Sequence, residues 1–214
     1  MAGPPVLGVI LAGGLARRMG GGDKTLLRLA GRTLLAHVAA RLAPQCGAGL
    51  ALSANGDPGR FAGWTGPVVP DPLPGQPGPL AGVLAGLVHA ARHHPDVSHV
   101  VTVSGDAPFL PADLVARLLA AGAATGAAAD RPIAVAVSGG RRHHTCALWP
   151  VGLREDLRAA LVERDERRVG GFIDRHGAAL AAWPTDPVDP FLNVNAPDDL
   201  AAAEAAYARV RPGA

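Results

Sequence analysis

Val6 to Leu11 is an unbroken apolar run that stops at Gly13-Gly14, the pattern of a strand buried on both faces and opening into a loop. Thr33 to Leu42 carries Leu34, Leu35, Val38 and Leu42 at helical spacing. A second strand, Leu50 to Ala54, ends at the turn pair Asn55-Gly56,. PLAGVLAGLVHAAR has Pro79 at a favourable first helical position,. Val100 to Val103 predicts a third strand ending at Ser104-Gly105-Asp106, and Pro111 to Ala121 a helix. Strand, loop and helix thus alternate three times in 121 residues, which argues for right-handed crossovers and a doubly wound parallel sheet. The second half is less regular. Ile133 to Val137, Thr145 to Trp149 and Ala179 to Trp183 predict strands; Leu153 to Val162, Val169 to His176 and Ala196 to Ala208 predict helices. Ala120 to Ala129 reads as a helix end and a loop. With no linker or internal repeat, residues 1–214 are expected to form one domain.

Composition narrows the core and the partners. Apolar residues make up 49% of the chain but aromatics only 4%, so the core must be built from Ala, Val and Leu, as suits helices on a parallel sheet. A net charge of +2 and two short arginine clusters, Arg141-Arg142 and Arg167-Arg168, do not argue for nucleic acid,. Cys46 and Cys146 are the only cysteines; they exclude a disulfide framework but leave one bridge open. The N-terminal apolar run has no positive charge ahead of it, the wrong order for a secretory signal, and prolines interrupt the longest uncharged stretch,. The expectation is a cytoplasmic protein that acts on small molecules and makes no membrane contact.

Ligands of open parallel sheets bind beyond the carboxyl ends of the strands, which here are Gly13-Gly14, Asn55 and Asp106. The stretch LAGGLARRMGGGDK fits neither a Walker loop, since Asp23 precedes Lys24, nor the dinucleotide fingerprint,. It remains a glycine-rich loop with Arg17, Arg18 and Lys24, able to wrap a polyphosphate. The 20 basic residues include a single lysine, Lys24, a compact point charge that the fork of a guanidinium replaces poorly. Asp106, at a strand end between prolines, is placed either to bind Mg²⁺ with phosphate oxygens or to stabilise a turn. The three asparagines, Asn55, Asn193 and Asn195, all fall at a strand end or in PFLNVNAPDDL. His93-His94 and His143-His144 lack a spaced third ligand for zinc, and no Gly-x-Ser-x-Gly elbow is present.

With these residues assembled, the sequence resembles the molybdenum cofactor guanylyltransferases, the MobA family of nucleotidyltransferases. LAGGLARRMGGGDK, SANGD, PGPLAGVLAGL, SGDAPFLPADL and FLNVNAPDDL carry the likeness, with HHTCALWP and ERRVGGF between them. The resemblance implies a Rossmann-like three-layer α/β/α fold with a mostly parallel sheet. It implies transfer of GMP from GTP to the terminal phosphate of molybdenum-bearing molybdopterin. Leu11, Ala12, Gly13, Lys24, Asn55 and Asp71 would contact GTP, and Asp106 would bind Mg²⁺ beside it. Lys24 and Asp106 would be catalytic, and Asn193 and Asn195 would face molybdopterin. Transient contact with molybdoenzymes or their chaperones belongs to the same expectation. The chain departs from the family at Gly56 and at Ser104-Gly105, where Asn-Arg and Pro-Cys-Asp are common. A related cytidylyltransferase or sugar-phosphate nucleotidylyltransferase, and a catalytically silent nucleotide sensor, remain the alternatives.

Overall fold

The structure, a computed structural model, describes residues 5–13, 23–73, 75, 78–124 and 132–210. Gly14, Arg17, Arg18 and the stretch 125–129 lie outside these residues. In chain order the elements are β1 (Val6–Leu11), the hairpin β2 (Arg28–Leu29) and β3 (Arg32–Thr33), α1 (Leu34–Leu42), β4 (Leu50–Ser53), β5 (Val68–Val69), α2 (Pro79–His93) and β6 (His99–Ser104). There follow α3 (Leu114–Ala124), β7 (Ile133–Ser138), β8 (Arg141–Pro150), α4 (Arg154–Val162), α5 (Val169–His176), β9 (Ala178–Trp183) and α6 (Pro197–Val210).

One seven-stranded sheet has the order β5-β4-β1-β6-β8-β7-β9. β4, β1 and β6 pair in parallel, as do β7 and β9, while β8 runs antiparallel to both its neighbours. β1 is an interior strand between β4 and β6, and Val6, Leu7, Val9 and Ile10 are all but inaccessible, which is why its sequence is apolar without alternation. α1 and α3 cover one face, where Val38 and Leu42 meet Leu114 and Leu118; α2, α4 and α5 cover the other through Leu84, Leu157 and Phe172. The three layers expected from the sequence are therefore present, with α6 packed beside them on the β2–β3 hairpin around Leu29, Val194 and Ala203.

Local chemistry sets the boundaries. Thr33 caps α1 by accepting from the Ala36 amide at 3.1 Å, so the helix starts one residue after the expected Thr33. α3 begins at Leu114 rather than Pro111. Asp113 ahead of it accepts from the Trp183 indole at 2.8 Å, and the Ala-rich segment after Ala121 carries the helix on to Ala124,. Two short elements carried no periodicity long enough to read: the edge strand β5, and the β2–β3 hairpin turned by Ala30 and Gly31, both at positive φ,.

The largest difference is β8. It starts at Arg141, four residues before the expected Thr145, because the polar run RRHH pairs with the end of β7. The pairing Val135–Ala147 is followed directly by Ala136–His143, so residues 144–146 form a bulge,. The bulge is anchored from beneath: the Trp149 indole donates to Thr102 Oγ1 at 2.8 Å, and that hydroxyl donates to the Thr145 carbonyl at 2.9 Å. The β6–β8 pairing stops at Thr102–Ala147, leaving the sheet open at the end of β6.

Candidate functional site

The opening lies at the carboxyl ends of β1, β4 and β6. Three backbone bonds knit it together: Ala12 N–H to the Ser53 carbonyl (2.9 Å), Gly105 N–H to the Leu11 carbonyl (3.0 Å) and Val194 N–H to the Asp106 carbonyl (3.0 Å). A cavity of about 290 Å³ is lined by Leu11, Gly13, Asn55, Asp71, Gly82 and Ser104 among others. Gly82 is required on its wall, because a Cβ there would stand 2.7 Å from Ser53 Oγ and 2.9 Å from a Leu11 methyl. That close approach brings the first turn of α2 against the sheet and explains the residue type inside GPLAG.

Asn55 and Asp71 close the outer wall as a reciprocal pair. Asn55 Nδ2 donates to Asp71 Oδ2 at 2.7 Å, and the Asp71 amide donates to Asn55 Oδ1 at 2.8 Å. Burial raises the Asp71 carboxyl above its ordinary range, and the Asn55 hydrogen bond partly offsets this,.

Asp106 sits at the inner end, 7% exposed. Its Oδ1 accepts from Ser104 Oγ at 2.5 Å, and its Oδ2 pairs with Lys24 Nζ at 2.8 Å. The Lys24 ammonium also donates to Asn195 Oδ1. Lys24 reaches this position from a 3-10 turn capped by Asp23, whose Oδ1 accepts from the Thr25 amide and hydroxyl while Oδ2 pairs with Arg60 at 3.2 Å. Gly105 lets that turn approach, since a Cβ would lie 2.7 Å from the Thr25 methyl. The glycine that departs from the family's common Pro-Cys-Asp is thus a packing solution beside Lys24. Asn195 is presented by the loop before α6, its amide bonded to Asp199 Oδ2 at 2.8 Å.

A second cavity, of about 640 Å³, adjoins the first at Thr145, which lines both. Arg141, Arg142, His143, His144, Arg168 and Asn193 are on its wall, with Asp174 as its carboxylate. Positive charge therefore dominates it, although Arg142 is paired with Asp174 at 2.8 Å. The structure brings Leu11, Gly13, Asn55 and Asp71 to one cavity, places Asn193 in the other, and joins Asp106 and Asn195 through Lys24, with Ser104 linking Asp106 to the wall of the first. Ala12 is buried beneath the first.

A family model, described as the MobA-like NTP transferase domain, matches residues 8–179. The chain belongs to that family. A protein of Bradyrhizobium named molybdenum cofactor guanylyltransferase is 57% identical over 93% of this chain and 92% of its own. One of the same name from Mesorhizobium japonicum is 51% identical over 92% and 94%. The crystal structure of molybdopterin-guanine dinucleotide biosynthesis protein A from Archaeoglobus fulgidus shares the fold, with a TM-score of 0.72 and 20% identity over 96% of this chain and all of that one.

The MobA-like resemblance read from the sequence is therefore borne out, as is the fold. The basic cavity was not foreseen. Its signal lies in HHTCALWP and ERRVGGF, but the arginine clusters stand 26 positions apart in sequence, and only the β8 bulge and the start of α5 bring them together. Cys46 and Cys146 are free and buried, with both thiols pushed up to about 12 by burial, so no bridge joins them. His143 and His144 face different neighbours, Phe191 and Gly170 respectively. Among the described residues no helix is long and apolar enough to cross a membrane.

Proposed function

We propose that this chain, acting as a single domain, is a molybdenum cofactor guanylyltransferase. An oxygen of the terminal phosphate of molybdenum-bearing molybdopterin attacks the α-phosphorus of GTP, the bond to the β-phosphate oxygen breaks, and pyrophosphate leaves. The observation that carries the reading is the meeting of two cavities at Thr145, the first of them also lined by Ser104, whose hydroxyl donates to the Lys24-paired Asp106. The name shared by close relatives supports it.

The chain need not supply a nucleophile, because the acceptor brings its own. Alignment and charge neutralisation are what remain, and both are worth several kcal/mol in a site that excludes water. GTP occupies the first cavity, its base and ribose between Gly82 and the Asn55–Asp71 pair, its phosphates at Leu11, Ala12 and Gly13. Lys24 exchanges Asp106 for the phosphates as they enter and follows negative charge onto the departing pyrophosphate. The acceptor lies in the basic cavity with Arg142, Arg168 and Asn193 against its anionic groups, and Asn195 keeps Lys24 at the junction.

Asp106 fits a divalent cation. Its buried carboxylate already pairs with the Lys24 ammonium on Oδ2, so a cation there would meet negative charge once Lys24 turns to the phosphates. No cluster of three or more His, Cys, Asp or Glu side chains stands ready to ligate a metal among the described residues, and Mg²⁺ commonly takes only one or two carboxylates from the protein. Asp106 would be the residue to hold such a cation, which would supply charge neutralisation for the reacting phosphates. The reading includes a cytosolic setting and hand-over of product to molybdoenzymes or their chaperones.

The test is incubation of the protein with Mg²⁺, molybdenum-loaded molybdopterin and GTP, CTP or ATP, with the dinucleotide measured by mass. GTP should be preferred, because the wall at Gly78 to Gly82 can present backbone groups to a base edge, where mismatched polar groups are costly. Equal turnover with CTP would overturn the guanine assignment, and no turnover with any nucleotide would favour the silent sensor.

A further inference from the structure

A polar relay centred on a buried serine lies beside the basic cavity and has no part in the reading above. Ser138, at the end of β7 and 2% exposed, donates from Oγ to Asp189 Oδ1 at 2.7 Å and lies 2.7 Å from His143 Nε2. The carboxylate can only accept, so the single hydroxyl proton points to Asp189. The serine oxygen must therefore accept from His143, which places the ring proton on Nε2. Nδ1 is left as the ring's other polar atom on a residue that lines the cavity. The ring is held flat by Phe191, with centroids 4.7 Å apart. Asp189 Oδ1 also accepts from the Phe191 amide at 3.0 Å, fixing the loop that continues to Asn193 and Asn195.

We propose that Asp189, acting through Ser138, is a positioning residue for the acceptor: it holds His143 so that Nδ1 meets the anionic acceptor in the basic cavity. The proposal rests on reading that cavity as the acceptor site. Burial most of all lowers the His143 pKa; Asp189 pulls against it, and Arg141 and His144 lower it further. An anion arriving among Arg141, Arg142 and Arg168 reverses the balance. Nδ1 then takes a proton from solvent and becomes a donor to the anion, while Nε2–H, Ser138 and Asp189 remain linked behind it. With the opposite tautomer the single Ser138 proton could serve only one of His143 Nε2 and Asp189, and the relay would break on one side.

Three measurements on the full chain test this: acceptor and GTP KM against pH, thermal melting, and long-range ¹H–¹⁵N spectra of the histidines. Wild type should show His143 as the Nε2–H tautomer, and its acceptor KM should fall relative to that of His143→Gln between about pH 8 and about pH 6. Ser138→Ala should mix the tautomers and raise acceptor KM by about tenfold, the scale of one charge-assisted hydrogen bond, with GTP KM within about twofold. Asp189→Asn, which keeps an acceptor oxygen for Ser138 and Phe191, should lose less than Ser138→Ala. An Nδ1–H tautomer in wild type overturns the relay, as does Ser138→Ala with an unchanged acceptor KM. If Arg168→Ala also leaves acceptor KM unchanged, the cavity is not the acceptor site and the parent reading falls with the relay.

Discussion

Replacing Asp106 with asparagine keeps the shape of the β6 terminus and removes one charge, so stability and catalysis can be read separately. Oδ1 continues to accept from Ser104, but Lys24, 16% exposed, loses its carboxylate. Removing one partner of a fully buried pair costs about 3 to 5 kcal/mol. Lys24 is not fully buried, retains Asn195 and can turn towards solvent, so about 1 to 2 kcal/mol is expected here. For a domain of this size each kcal/mol moves Tm by about 2 to 4 °C. Turnover should fall by about 10²- to 10³-fold, equivalent to roughly 2.7 to 4 kcal/mol of transition-state stabilisation. The double variant Lys24→Met, Asp106→Asn distinguishes the two effects: with neither charge left unpaired, Tm should return towards wild type while turnover stays lost. The assay is initial GMP-transfer rate against Mg²⁺ concentration, beside thermal melting. A single variant that melts low yet turns over normally at ordinary Mg²⁺ would refute the argument, because Asp106 would then be a structural counter-ion to Lys24.

Lys24→Arg should recover only part of the activity lost in Lys24→Ala, since a forked guanidinium cannot follow moving charge from the same site; full recovery in steady-state assays would count against the charge-following role. Gly82→Ala should raise GTP KM about tenfold and leave acceptor KM unchanged, because the new methyl forces α2 away from Ser53 and Leu11,; unaltered GTP binding by calorimetry would show that this wall does not touch the nucleotide. Arg164 first, then His176, holds the Asp156 carboxyl below its ordinary range. Its contribution is therefore present above about pH 4 and lost as pH falls through the lowered value. Asp156→Asn should cost at most about 1 kcal/mol near neutrality, given the pair's exposure, and the difference from wild type in urea melts should vanish in acid.

How far the sequence revealed this arrangement depends on whether burial or pairing decided each residue. β1 and β6 lie between the helical layers and α2 is largely buried against the sheet, and their apolar runs fall within one residue of the observed limits. β8 failed at its first half for the opposite reason: Arg141 to His144 are strand residues because β7 is there to pair with them, and pairing leaves no apolar trace on a half-exposed edge,. The candidate site followed the same division. Leu11, Asn55 and Asp106 are strand-end residues, so a topological rule located them. Thr145 and Arg168 matter through a bulge and a helix start from distant segments, which no local pattern encodes.

The bulge also accounts for why chemistry can occur at this edge. Had β8 continued in register beside β6, Thr145 would have paired near Ser104, and ladder hydrogen bonds would have sealed the sheet where the two cavities now meet. Residues 144–146 instead leave the ladder, held by the Trp149–Thr102–Thr145 chain. A bulge costs pairing, and here the lost ladder bonds are offset by a buried indole and hydroxyl that are fully satisfied. The position of Thr145, and with it the passage from nucleotide to acceptor, therefore depends on a side chain in the core. Trp149→Phe keeps most of the buried volume but deletes the donor to Thr102. It should cost about 1 to 3 kcal/mol through the freed hydroxyl and lower turnover more than it raises either KM, since both cavities persist while their junction shifts. Equal Tm and turnover in Trp149→Phe and wild type would show that the bulge holds its shape without this anchor.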